Sequence, residues 1–171
     1  LVSIGNGYTA RADEILTVLR IVPAVSADDV ERVRVLFREY ERALGVDLSY
    51  QGFGDEVASL PGAYAPPRGA LFLAMDGDDA SGCVALRPLG EDLCEMKRLY
   101  LRASLRGRGA GRALAQRVID QGRAIGYRAM RLDSLPGMKE AIALYETLGF
   151  TRIPAYYPSP VPGTVYMERR L

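Results

Sequence analysis

Histidine is absent from the 171 residues, and so is tryptophan. Without an imidazole there is no Ser-His or Cys-His nucleophile pair, no HExxH zinc site and no histidine base. Any acid–base chemistry falls to carboxylates, tyrosine, lysine or cysteine. Cysteine is nearly as scarce. Cys83 and Cys94 are the only two, too few for a disulfide scaffold or a four-cysteine zinc site, and they read as reduced strand residues of a cytoplasmic protein. No apolar run approaches the roughly 18 residues of a membrane span, so no membrane is expected as a partner. The stretch 1–13 lacks the basic and apolar regions of a signal peptide; with Gly5, Asn6 and Gly7 it reads as an extension or flexible arm before one domain over 14–171. Net charge is missing too. The 22 Lys plus Arg and 21 Asp plus Glu leave +1, which argues against a wholly basic nucleic-acid binder. What is present is ordinary for a globular protein, 49% apolar and 25% charged, enough to bury a core without staples.

Residues 15–22 are apolar and β-branched, and Pro23 follows: a first strand. Ser26 then precedes Asp28 and Asp29 as an N-cap. Val30, Val33, Phe37, Tyr40 and Leu44 recur at helical steps up to the stop at Gly45. A short second helix is expected over 53–60. Three strand-like runs follow, 70–75, 82–87 and 93–101, separated by turn residues as in an antiparallel meander. A helix with Leu114, Val118, Gln121 and Ile125 on one stripe ends at Gly126. A strand over 127–133, a helix over 139–147, and strands near 150–153 and 164–170 complete the order β-α-α-β-β-β-α-β-α-β-β. Only the unit 93–133 compels a parallel crossover.

The stretch that carries chemistry is the loop between the strand at 93–101 and the next helix. Gly107, Gly109 and Gly111 alternate around Arg108 and Ala110, with Arg106 and Arg112 at either end. Backbone amides without a Cβ beside them can approach an anion closely, and the helix dipole adds favourable potential. This is a cradle for phosphate or pyrophosphate. It is not a P-loop, which needs Gly-Lys-Ser/Thr, nor the dinucleotide fingerprint, which would need glycine at Arg112.

The pattern R-x-x-G-x-G over Arg106–Gly111 resembles the pyrophosphate signature of the GCN5-related N-acetyltransferases. Ala-Leu-Tyr-Glu-Thr-Leu-Gly-Phe at 143–150 is similar to that family's A-x-x-L-Y-x-x-x-G-F element, and the element order resembles its fold over 15–171. The resemblance implies an α/β (α+β) acyl-CoA N-acyltransferase fold, with a mixed, mostly antiparallel sheet and helices on both faces. It implies acetyl-coenzyme A as co-substrate and no metal. The pantetheine arm would run along the strand end at Leu99, Tyr100 and Leu101. The pyrophosphate would lie on the amides of Arg106, Gly107, Arg108, Gly109, Ala110 and Gly111, faced by the side chains of Arg106, Arg108 and Arg112.

Acyl transfer to an amine requires removal of the ammonium proton, a donor to the developing oxyanion and a proton for the departing thiolate. The resemblance assigns the base to Glu95, directly or through water, and the acid to Tyr145. The oxyanion donor would be a backbone amide near Leu99, exposed by a strand irregularity. Strict strand alternation would put Glu95, Lys97 and Leu99 on one face and Cys94, Met96, Arg98 and Tyr100 on the other. Relatives carry asparagine where this chain has Met138, so a polar cofactor contact there is lost or supplied by backbone.

The acceptor side would be formed by the first two helices and the loop before the last strand, which nominates Gln51, Phe53, Tyr156 and Tyr157. The expected acceptor is a small primary amine. Two other readings stay open: an inactive coenzyme A- or RNA-binding module, and an enzyme acting on a protein N-terminus or lysine. Between 97 and 131 ten basic residues face Asp120 alone, a local +9 that RNA could use. No RNP-type aromatic motif accompanies it, so nucleic acid is not an expected partner. The expected assembly is a monomer or homodimer.

Overall fold

A computed structural model describes residues 19–171. The arm expected over 1–13 and the first residues of the strand expected over 15–22 lie outside the described residues. From there the chain runs β1 (Leu19–Pro23), α1 (Ala27–Leu44), α2 (Phe53–Ala58), β2 (Ala70–Asp76), β3 (Asp79–Pro88), β4 (Leu93–Leu101), α3 (Ala110–Ile125), β5 (Ala129–Ser134), α4 (Lys139–Thr147), β6 (Thr151–Ile153) and β7 (Val165–Arg170). This is the order read from the sequence. α1 begins at a reciprocal cap: the Ser26 hydroxyl accepts from the Asp29 amide at 3.1 Å, and the Asp29 carboxylate accepts from the Ser26 amide at 3.4 Å.

The strands form one seven-stranded sheet in the order β1-β2-β3-β4-β5-β7-β6. All neighbours are antiparallel except β4 and β5, which α3 joins as a crossover. Alternation along β2 and β3 divides the core in two. Phe72, Ala74, Val84 and Leu86 pack toward α3 with Leu114, Val118 and Ile119. Leu71, Leu73, Cys83 and Ala85 pack toward α1 and α2 with Val33, Phe37, Phe53 and Val57. Cys83 and Cys94 are free and buried, and they belong to opposite faces of the sheet. Among the described residues no helix is long and apolar enough to cross a membrane.

Candidate active site

β4 and β5 pair only from Leu93 to Glu95, against Ala129 to Arg131. Beyond that point they part, and among the described residues no strand lies beside the β5-facing edge of β4 from Met96 to Leu101. Two cavities meet at this gap. One is a cleft of about 530 Å³ that runs from Leu99–Leu101 to the glycine loop and α3, with Arg106, Arg112 and Leu144 on its walls. The other is a small space of about 20 Å³, room for roughly one water-sized group, bounded by Lys97, Arg98, Asp133, Ser134 and Tyr145 among others. Tyr40, Leu99 and Met138 line both.

The cleft end of α3 has the properties of an anion cradle. Its N-cap is Gly109 at φ 77°, with no side-chain cap, so the first-turn amides keep their donors for a ligand. Gly107 has φ 73°, and a Cβ on either glycine would meet nothing within 4 Å. Backbone conformation, not crowding, is what requires glycine here. Arg106 and Arg112 face the cleft. Arg106 Nε donates to the Leu101 carbonyl at 3.3 Å and Arg112 Nη2 to the Thr147 hydroxyl at 2.6 Å. Arg108 departs from expectation: its guanidinium reaches Asp76 at 2.9 Å, toward the β2–β3 hairpin.

β4 carries the irregularity that sequence could not locate. Its pairing with β3 steps from Cys83↔Tyr100 to Ala85↔Lys97, so three residues of β4 span two of β3. Arg98 sits in the extra position at φ 57°, the one described non-glycine residue with positive φ. The bulge reverses side-chain parity after Lys97 and corrects the expected alternation. Lys97, Arg98 and Tyr100 share the α1–α2 face, while Met96, Leu99 and Leu101 face α3 and α4. Arg98 is clamped in place. Nε and Nη2 donate to Glu56 at 3.0 and 2.7 Å, and Nη1 donates to Gln51 Oε1 at 2.7 Å.

The nominated acceptor residues divide. Gln51 is central: besides Arg98, its Oε1 accepts from Lys97 Nζ at 3.3 Å, and its amide nitrogen donates to the Tyr157 hydroxyl at 3.1 Å. Tyr156 donates its hydroxyl to Glu95 Oε1 at 2.7 Å, and its ring packs edge-on to Tyr157 and Tyr166. Phe53 is not brought to the gap. It is buried in the core, under the Arg98 guanidinium at 5.0 Å.

Glu95 is 1% exposed, and both its oxygens are engaged. Oε2 accepts from Arg87 Nε at 2.8 Å with Nη2 also at 2.8 Å, Oε1 takes Tyr156, and Lys97 Nζ lies 3.9 Å away. Tyr145 is buried on the α4 side of the gap, and burial pushes its hydroxyl well above the ordinary tyrosine value, with the nearby Tyr40 and Asp133 adding to the rise. Sequence reading missed three neighbours: Lys97 as the partner of Asp133 at 3.2 Å, Asp133 itself, and Ser134, whose buried Oγ has no hydrogen-bond partner among the described residues. The available signal was parity on β5, where Arg131 and Asp133 put two charges on one face of a buried strand.

The basic window resolves into pairs. Among the described residues, seven of its ten cations make ion pairs, including Lys97–Asp133, Arg98–Glu56, Arg102–Glu39 and Arg108–Asp76. Of the other three, Arg117 lies over the Phe72 ring at 4.5 Å, and Arg106 and Arg112 are the two that face the cleft.

Residues 32–150 match the Acetyltransferase (GNAT) family. The chain is 39% identical over 142 residues to an uncharacterised N-acetyltransferase of Schizosaccharomyces pombe, covering 82% of this chain and 87% of that one. It is 35% identical over 138 residues to an IAA acetyltransferase of Azospirillum brasilense, covering 80% and 88%. In fold it resembles a GNAT-family acetyltransferase from Staphylococcus aureus, with a TM-score of 0.74 at 16% identity over 90% of this chain and 99% of the other.

Proposed function

The chain belongs to the GNAT family of acetyltransferases, and on that premise we propose that it transfers the acetyl group of acetyl-coenzyme A to a primary amine of a small molecule by direct attack. The observation that carries this reading is the meeting of the two cavities where β4 and β5 part, with Tyr145 on the wall of the smaller one. The donor fits the cleft on two counts, uncapped amides at the start of α3 and two cleft-facing arginines, and the adjoining small space adds the Ser134 hydroxyl. The amides from Arg106 to Gly111 would hold the pyrophosphate with Arg106 and Arg112, and the free edge at Leu99–Leu101 would pair with the pantetheine arm. When bound, acetyl-coenzyme A supplies an activated acyl group as a thioester.

The residues of the chain do the rest. The backbone amide at Leu99, next to the bulge, donates to the carbonyl oxygen as negative charge develops on it. Tyr145 gives its proton to the sulfur. The ammonium proton passes to the buried network that contains Glu95, Lys97 and Asp133. A small acceptor is supported by the fastening of Tyr156 and Tyr157 to Glu95 and Gln51, which fixes two half-buried rings beside the site.

The test pairs calorimetry with acetyl-coenzyme A, expected to give a Kd on the order of micromolar, with thiol release over a panel of amines. Binding with no thiol release from any amine would support the inactive, coenzyme-binding reading instead. Tyr145→Phe should lower turnover by about 10- to 10⁴-fold and leave acetyl-coenzyme A affinity as it was. Wild-type turnover in that variant would remove Tyr145 from the acid role.

A further inference from the structure

Two carboxylates of the buried network are candidates to receive the ammonium proton, and their surroundings differ. Glu95 lines neither cavity. Its oxygens are occupied by Arg87 and Tyr156, and it lies within the paired part of β4, opposite Arg131. Asp133 lies two residues past that last pair, where the strands have parted, and it lines the small cavity together with Tyr145. Its side chain keeps 11% of its surface exposed, against 1% for Glu95. Parity on β5 puts Arg131 and Asp133 on the acceptor face, while Met130 and Leu132 enter the α3–α4 core.

We propose that Asp133, rather than Glu95, takes the proton from the acceptor's ammonium, and that Glu95 is a positioning residue acting through Lys97 and Tyr156. The inference rests on the acetyltransferase reading above. Lys97 makes the exchange workable. Its Nζ is 3.2 Å from Asp133, 3.3 Å from Gln51 Oε1 and 3.9 Å from Glu95. When a substrate ammonium takes its place on Asp133, Lys97 still has Gln51 and a second carboxylate for company. Glu95 is thus the counter-charge that lets Asp133 be shared.

The ammonium gives one proton to Asp133, leaving a free amine and a neutral carboxylic acid. The nitrogen lone pair forms the C–N bond, and the C–S pair departs on sulfur. Sulfur takes the Tyr145 hydroxyl proton, and the second nitrogen proton, shed as the amide forms, restores Tyr145. Asp133 then releases its proton to solvent, so amide, thiol and one proton leave the enzyme. Several groups face Asp133 besides Lys97. Tyr40 comes from α1, Arg98 and Glu95 stand beside and behind Lys97 on β4, and Tyr145 comes from α4. Tyr156 and Tyr157 come from the loop before β7, the Tyr157 hydroxyl hydrogen-bonding the Asp133 carboxylate, and Tyr166 is its cross-strand partner.

The test measures kcat/KM against pH for wild type, Asp133→Asn and Glu95→Gln. The acceptors are ethanolamine and 2-phenylethylamine, both protonated at neutral pH, and hydroxylamine, which is largely uncharged there. Asp133→Asn is expected to lose about 10²- to 10⁴-fold on the two amines, with the deficit shrinking as pH rises and free amine appears. It should lose less than about tenfold on hydroxylamine, which has no proton to surrender before attack. Glu95→Gln is expected to fall less than about tenfold on all three and to keep the wild-type pH dependence. Should Asp133→Asn fail to fold, the double variant Lys97→Met/Asp133→Asn removes both charges of the pair, leaves neither unpaired, and should give the same pattern. A wild-type pH profile in the Asp133 variants, or an equal loss on hydroxylamine and the amines, would overturn the assignment. So would transfer of the deficit to Glu95→Gln. No thiol release by the wild-type protein with any of the three would instead sink the acetyltransferase reading and this inference with it.

Discussion

Glu56, on the acceptor side of the sheet, is held by opposed forces. Burial works to raise its carboxyl, but the hydrogen bonds and charge of Arg98 outweigh that and leave it below its usual 4.5. A folded-state value below the unfolded one stabilises the fold fully above the unfolded value, and that stability is lost as pH falls through the folded value. The urea midpoint should therefore drop as pH is lowered from about 5 toward 3, and Glu56→Gln should flatten part of that drop. Arg98→Ala should cost more at neutral pH, about 3–5 kcal/mol by urea denaturation, because it strands a buried carboxylate. Neither partner announces the pair in the sequence. They stand 42 positions apart, and Glu56 reads as one more acid in the helix-rich segment. A local motif surrounds Tyr145 and drew attention to it in the sequence; nothing local marks Asp133, whose place beside it depends on Lys97 on another strand.

The glycine loop with α3 and the β4 bulge are the two elements that build the gap, and they differ in how openly the sequence declares them. The loop is declared by composition. Gly109 adopts φ 77° with open space where a Cβ would stand, so Gly109→Ala tests conformation without a clash. It should cost about 1–2 kcal/mol of stability and weaken acetyl-coenzyme A binding by turning the first amides of α3. A melting curve and calorimetry would separate the two effects. Unchanged affinity would show that the cradle does not depend on this geometry. The bulge is not declared. Arg98 is neither glycine nor asparagine, and it holds its positive φ through partners on α2 and the segment before it. One inserted residue then moves Arg98 to the α1–α2 face and Leu99 to the α3–α4 face, the reverse of strict alternation.

Across the whole molecule, charge is arranged by long-range pairing. The basic window between 97 and 131 is met by acids from several elements: Arg98 and Arg102 pair with Glu56 of α2 and Glu39 of α1, and Lys97, Arg108 and Arg131 with Asp133, Asp76 and Glu168 of the sheet. A free basic surface of that size would grip single-stranded RNA and release it with salt. With most of it paired, a short fluorescent RNA should show no anisotropy change at about 0.15 M salt, while Arg106→Ala and Arg112→Ala should each weaken acetyl-coenzyme A. Tight RNA binding under those conditions would reopen the nucleic-acid reading. By itself the sequence determined the order of elements, the crossover between β4 and β5, the glycine cradle, and the exclusion of histidine from the chemistry. These depend on periodicity, turn residues and backbone freedom, which act within a few residues. Only the tertiary structure decided which arginines face the cleft, where the bulge lies, and which carboxylate stands at the gap. Those depend on strand register and on where two strands part, and a single inserted residue is enough to exchange the faces.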